Sequence, residues 1–255
     1  MTVFLALLKR EMQSIFLSPV AYVCGILSLL GTGFCFMILL ANFLRMGPTF
    51  SLQSLVHLFF AGFIVIWFAQ IFLVSAITMR IFSEEKRSGT VEALLTAPVT
   101  DVQVVLAKYF GALLYWLLLW LPTLGYFAVL GQDAFAWRLL GSAYLGVALV
   151  GAMAVAVGCL ASALCSSQMV AGLLSSTALT ALFFGPPMLL TFTRIEWPWL
   201  RGTLEYLNVL PMGNHTLLGE LCSGLGSLAH VFYPVSVAVA CLFVTVKTLE
   251  SRSWK

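Results

Sequence analysis

The chain has 255 residues, 61% hydrophobic and 9% charged, with a mean hydropathy of +1.03 and a formal net charge of +3. A soluble domain is nearer half apolar, so this composition excludes one. The small, scattered positive charge argues against nucleic acid as a partner. Apolar runs of about 20 residues, enough to cross a ~30 Å hydrocarbon layer, recur along the chain. The expected fold class is an all-α polytopic membrane protein, with residues 1–255 forming a single transmembrane domain.

The first predicted element covers 2–17, TVFLALLKREMQSIFL. At helical spacing Lys9, Arg10, Gln13 and Ser14 share one side, and Leu5, Leu8, Met12 and Phe16 the other. That division predicts a helix lying in the membrane interface. Pro19 should end it, because the residue before a proline avoids the α region, so the interfacial element is assigned to 1–19. The charges of Lys9, Arg10 and Glu11 break the first apolar run early, which argues against a cleaved signal peptide.

Six spans follow on hydropathy: 20–43, 58–79, 102–130, 139–164, 169–192 and 231–249. Pro122 in the third and Pro186-Pro187 in the fifth predict kinks or breaks. In the fourth, Ala154, Gly158 and Ser162 form a stripe of small residues at four-residue spacing, which lets a neighbouring backbone approach closely. Residues 193–230 are read as an external loop. Within it, Gly202–Gly226 is too polar, and too broken by Pro211 and Gly213, to span; short helices dipping into the outer leaflet suit it. No repeat or low-complexity segment is visible.

Basic residues set the expected orientation. Lys9, Arg10, Arg80, Lys86, Arg87, Lys108, Lys247, Arg252 and Lys255 fall on one side of this topology, and Arg45, Arg138, Arg194 and Arg201 on the other. The positive-inside rule then places both termini in the cytoplasm of a cell whose inner (plasma) membrane holds this multi-pass chain. Trp137, Trp197 and Trp199 would lie at the outer interface. Of the six cysteines, Cys24, Cys35, Cys159 and Cys241 lie inside spans, Cys165 at an edge, and Cys222 outside. With no CxxC spacing they are read as small hydrophobes, not as a metal site or a disulfide framework.

The densest charge lies between the second and third spans, in MRIFSEEKRSGTVEALLTAPVTD. The second span is expected to continue past Met79 as a helix through RIFSEEKR until Ser88-Gly89 breaks it. A short amphipathic helix would start near Thr90, with Glu92 in its first turn, Val91, Leu94 and Leu95 on its apolar side, and Pro98 as its end. Thr100-Asp101-Val102-Gln103 fits a capping box that opens the third span. Glu84, Glu85, Lys86 and Arg87 are consecutive and of mixed sign. Positive-inside needs no glutamates, so two readings of 80–101 stand: a solvated face, or a docking element for a soluble protein.

RIFSEEKRSGTVEALLTAPVTDVQVVLAKYFGALL resembles the signature stretch of ABC-2 type transporter permeases. LLKREMQSIFLSPVAYV and LFVTVKTLESRSW are also similar to the gliding-motility-associated branch of that family. The resemblance implies one permease half of an ABC exporter. It implies a second permease subunit, alike or different, and cytoplasmic ABC ATPase subunits as partners. It identifies 2–17 with an interfacial connecting helix, where Lys9 and Arg10 lie. It identifies 80–101 with a cytoplasmic coupling segment, whose contacts to the ATPase would come from Glu84, Glu85, Lys86, Arg87, Gly89, Thr90, Glu92 and Leu94. The loop after the fourth span, CSSQ, departs from the pattern, as does the stretch around His215.

Two other function classes fit less well. An intramembrane enzyme needs a nucleophile or metal set at depth, yet His57, His215 and His230 all lie near the expected outer face, and no HExxH or GxSxG occurs. An ion-coupled carrier or channel places ionisable groups within its spans. Here there is Lys108 near a cytoplasmic end, expected to snorkel, and Gln70 as the notable polar side chain. GxxxxGK[ST] is absent, so no cofactor is expected in this chain; ATP and magnesium would belong to the partner ATPase. Largely uncharged spans suit membrane lipid as surroundings and a lipid-like or amphipathic substrate.

Overall fold

The structure is a computed structural model and describes residues 2–46, 52–88, 100–128, 134–193, 197–209, 216–222 and 228–250. The described residues are predominantly helical, with no strand among them. They form α1 (Thr2–Leu17), α2 (Pro19–Met46), α3 (Leu52–His57), a π-helical turn (Leu58–Gly62), α4 (Ile64–Thr78), α5 (Ser83–Ser88) and α6 (Asp101–Ala128). After these come α7 (Ala134–Leu164), α8 (Gln168–Phe192), α9 (Pro198–Tyr206), α10 (Leu217–Cys222) and α11 (Leu228–Glu250).

Six helical segments are long and apolar enough to cross a membrane: Pro19–Arg45, Ile64–Arg87, Asp101–Ala128, Trp137–Leu164, Gln168–Phe192 and Val231–Glu250. α7 is the central one. It packs against α11, α8, α10, α4 and α6, and it lines the main core with Ala143, Val147, Val150, Met153 and Cys159. An aromatic cluster of Phe36, Phe59, Phe60, Trp67, Trp120 and Phe127 fills the space between α2, the π turn, α4 and α6.

Two sequence expectations about the second span need correction. The second span was read as continuous over 58–79, but the chain breaks at Phe63, which leaves the helical region (φ −90°, ψ 88°). The Phe60 carbonyl there accepts a bond of 2.7 Å from the buried Trp67 indole, so a side chain caps a group the break would otherwise orphan. The same span was expected to run as helix through RIFSEEKR; instead α4 ends at Thr78 and α5 starts at Ser83. Pro122 and Pro186-Pro187 produce no break, since α6 and α8 run through them. Near Pro122, the Thr123 hydroxyl donates 2.6 Å to the Trp120 carbonyl.

α1 keeps Lys9, Arg10, Gln13 and Ser14 exposed on its polar side. It packs along α6 through Phe4, Glu11 and Ile15. A Cβ on Gly111 would lie 3.3 Å from the Glu11 Cβ, which is why α6 carries glycine at the contact. Leu5 and Phe16 stay exposed beside that seam, as a separate apolar flank next to the polar Lys9, Gln13 and Ser14. Pro19 both ends α1 and opens α2, where its fixed φ and missing N–H suit a first helical position.

In 193–230 two short helices do form. α9 buries none of its residues, whereas Leu217, Leu218, Leu221 and Cys222 of α10 are buried, with α10 packed on α7. Cys222 thus lies in the bundle's packing, and burial pushes its thiol up to about 12. His215 and residues 211–215 lie outside the described residues.

Candidate functional site

The charged stretch after α4 meets the start of α6, the end of α7 and the middle of α1. α6 is opened by the expected capping box. The Thr100 hydroxyl accepts from the Gln103 N–H at 3.4 Å, and the Gln103 side-chain oxygen accepts from the Thr100 N–H at 3.5 Å. Two turns further on, Lys108 points into the protein and is 4% exposed. The expectation that it snorkels is therefore wrong. Its ammonium finds two carboxylates nearby: Glu85 Oε1 at 2.7 Å and Glu11 Oε2 at 3.2 Å. The Phe82 ring lies 5.7 Å from Nζ. The other oxygen of Glu11 accepts from Arg10 at 2.8 Å.

The result is an alternating chain of charge, Arg10–Glu11–Lys108–Glu85. It runs from the exposed Arg10 on α1, through a buried cation on α6, to α5. Taking an ammonium out of water is costly unless fixed opposite charges and hydrogen bonds replace the solvent. Here those replacements come from two other helices, so the three can separate only by exposing or orphaning Lys108. We refer to this arrangement as the joint.

A second attachment fixes the turn between α4 and α5. The Ser162 hydroxyl of α7 accepts from the N–H groups of Phe82 (3.0 Å) and Ser83 (3.2 Å) and donates to the Met79 carbonyl (3.1 Å). That uses its single donor and both acceptor positions. Two N–H groups that a continuous helix would spend on Thr78 and Met79 go to α7 instead, which is the physical reason for the elbow. Lys86 donates to the Ala163 carbonyl in the last turn of α7, where a cation is favoured. The small stripe on α7 makes this approach possible. A Cβ on Gly158 would lie 2.2 Å from the Thr78 hydroxyl oxygen, so the stripe's neighbour is α4 of the same chain.

Of the residues singled out in the sequence, Glu85 and Lys86 are brought into these contacts, Glu84 and Arg87 are exposed on α5, and Lys9 and Arg10 are exposed on α1. Gly89, Thr90, Glu92 and Leu94 lie outside the described residues, as do Pro98 and the Ser88-Gly89 break. The sequence reading missed Glu11, Lys108 and Ser162 as site residues. The available signal was Lys108 itself, an ionisable group within a span. Gln70, the other polar side chain noted in a span, is buried and donates to the Ser28 hydroxyl at 3.1 Å, tying α4 to α2. Among the described residues no group of three His, Cys, Asp or Glu side chains gathers as a metal site would require.

The fold and the joint define a polytopic helical membrane protein whose charged connector is held against one end of the bundle. Residues 42–204, more than half of the chain, match the family described as ABC-2 family transporter protein. The chain belongs to that family and is a membrane component of an ABC transporter. A family of this kind works in general with a partner ATPase subunit. No curated protein matches the chain.

Proposed function

We propose that this chain is the permease subunit of an ABC exporter, driven by ATP that a separate cytoplasmic subunit hydrolyses, and that 80–101 receives the ATPase. The observation that carries the reading is the joint. α5, with Glu84 and Arg87 exposed on it, is bonded through Glu85 to Lys108 of α6 and through it to Glu11 of α1. A push on α5 therefore reaches a membrane-spanning helix and the N-terminal helix directly.

The rest of the reading has separate supports. A second permease subunit, identical or different, would complete the pathway, as the family resemblance implies. The distribution of basic residues supports the inner (plasma) membrane and both termini in the cytoplasm. Largely uncharged spans favour a lipid-like or amphipathic substrate. ATP and magnesium would be held by the partner, since 1–255 contains no phosphate-binding glycine loop. The similarity to the gliding-motility-associated branch rests partly on stretches near both ends of the chain, outside the matched residues 42–204.

The docking reading is tested with Glu84→Lys combined with Arg87→Glu. Each exposed pair is worth about 0–1 kcal/mol, so neutralising one residue alone, Glu84→Gln or Arg87→Gln, should be tolerated. The two reversals together place like charges against the partner, which costs several kcal/mol at an interface. Membrane level should stay normal, while capture of the coexpressed ATPase and transport-linked ATP turnover should fall. Unchanged capture and turnover would leave α5 as a solvated connector only.

A further inference from the structure

A cleft of about 730 Å³ opens between α1, the start of α2 and the α4–α5 elbow. Its lining includes the apolar Val20, Ala21, Ala76 and Ile77 at the ends of two spans, the cations Arg10, Arg80 and Lys108, and the carboxylates of Glu11, Glu84 and Glu85; Lys108 engages Glu11 and Glu85. Arg80 Nη1 donates to the Ser18 hydroxyl at 3.3 Å. Arg80 Nε is buried and has no hydrogen-bond partner among the described residues. No carboxylate of the described residues lies within ion-pair distance of Arg80, although the Lys108 cation in the same cleft has two.

A guanidinium is always charged at ordinary pH and presents a planar fork of donors that matches phosphate or carboxylate oxygens. A half-buried one without an anion is incomplete. Its depth indicates which anion would complete it. Pro19 opens one span and Arg80 lies two residues past the last residue of α4, in the charged end of the segment Ile64–Arg87, where headgroups would meet the chain. The part of the lining formed by Val20, Ala21, Ala76 and Ile77 is apolar, and the adjoining α2 exposes Tyr22, Val23 and Ile26. A molecule with a phosphate at one end and hydrocarbon at the other fits both parts.

We propose that this cleft binds the phosphate of an anionic phospholipid from the adjoining leaflet, with Arg80 as its principal cation and Ser18 beside it. The proposal goes beyond the coupling role and does not require it, needing only that α2 and α4 cross the membrane. The test uses the full chain in nanodiscs of phosphatidylcholine, with or without phosphatidylglycerol. Native mass spectrometry counts retained phosphatidylglycerol, and tryptophan fluorescence follows unfolding.

The wild type should retain phosphatidylglycerol and gain thermal stability from it. Arg80→Gln should weaken that retention roughly five- to tenfold, as expected for one lost cation at a lipid surface. It should unfold like wild type in phosphatidylcholine alone. Arg80→Lys should keep most of the retention, and Arg138→Gln, an exposed arginine on α7, all of it. Equal retention by wild type and Arg80→Gln would overturn the proposal. So would an equal gain from inorganic phosphate in pure phosphatidylcholine discs, which would assign the site to the free ion. Loss of ATPase capture with lipid retention intact would assign Arg80 to a protein carboxylate and overturn it too.

Discussion

Lys108 is 4% exposed, and the carboxylates of Glu11 and Glu85, at 15% and 22%, stand where water would otherwise meet its ammonium. The arrangement has a measurable consequence at the scale of one residue. Lys108→Met removes the cation and leaves two carboxylates facing each other in a partly dry space. Destabilisation should be on the order of 2–4 kcal/mol, since breaking a buried pair from one side costs more than the pair is worth. Adding Glu11→Gln and Glu85→Gln should recover most of that loss. Denaturant unfolding in micelles, followed by tryptophan fluorescence, measures both; an unchanged midpoint for Lys108→Met would contradict the geometry. In the sequence Lys108 was visible as a charge in a span, but its partners were not. Glu11 and Glu85 lie 97 and 23 positions away, and only the packing of α1 and α5 on α6 brings them together. Snorkelling was the reasonable expectation for a lysine considered alone.

At the scale of elements, the elbow between α4 and α5 depends on the Ser162 hydroxyl. Ser162→Ala removes an acceptor for two N–H groups and a donor to the Met79 carbonyl. Orphaned buried backbone groups cost about 1–3 kcal/mol each. The turn can relax toward regular helix, so a net loss of about 1–3 kcal/mol is expected. Trypsin should then cut faster after Arg80 or Arg87 at unchanged membrane level; an unaltered cleavage rate would mean that the hydroxyl does not hold the elbow. Local patterns revealed the elements whose causes are local. The capping box at Thr100–Gln103, the end of α1 near Pro19 and the small stripe on α7 were all readable from neighbouring residues. The elbow and the break at Phe63 were not, because Ser162 lies about 80 positions from the turn it reshapes and Trp67 must fold back to cap Phe60. Hydropathy, which averages over a window, runs smoothly through both.

For the whole molecule, the number of spans and their order were legible because length and apolarity are properties of each stretch alone. Which span lies at the centre was not, since α7 and α8 are similarly apolar but only α7 is packed on most sides. The central position of α7 gives the two attachments of α5 their meaning. Through Ser162 and Lys86 the connector is fixed to the bundle's core helix, and through Glu85 and Lys108 to α6 and α1. On the proposed function, the Glu85–Lys108 bond carries ATPase engagement into the spans. The most direct test is a charge exchange, with ATP turnover and transport measured in the assembled complex with its ATPase. Glu85→Lys alone and Lys108→Glu alone each set like charges together and should lower coupled turnover about tenfold, near 1.4 kcal/mol. The double exchange restores one ion pair, so it should recover much of the loss, with an interaction energy of about 0.5–3 kcal/mol between the two sites. Additive losses in the double variant, or full coupled turnover in either single one, would contradict the account.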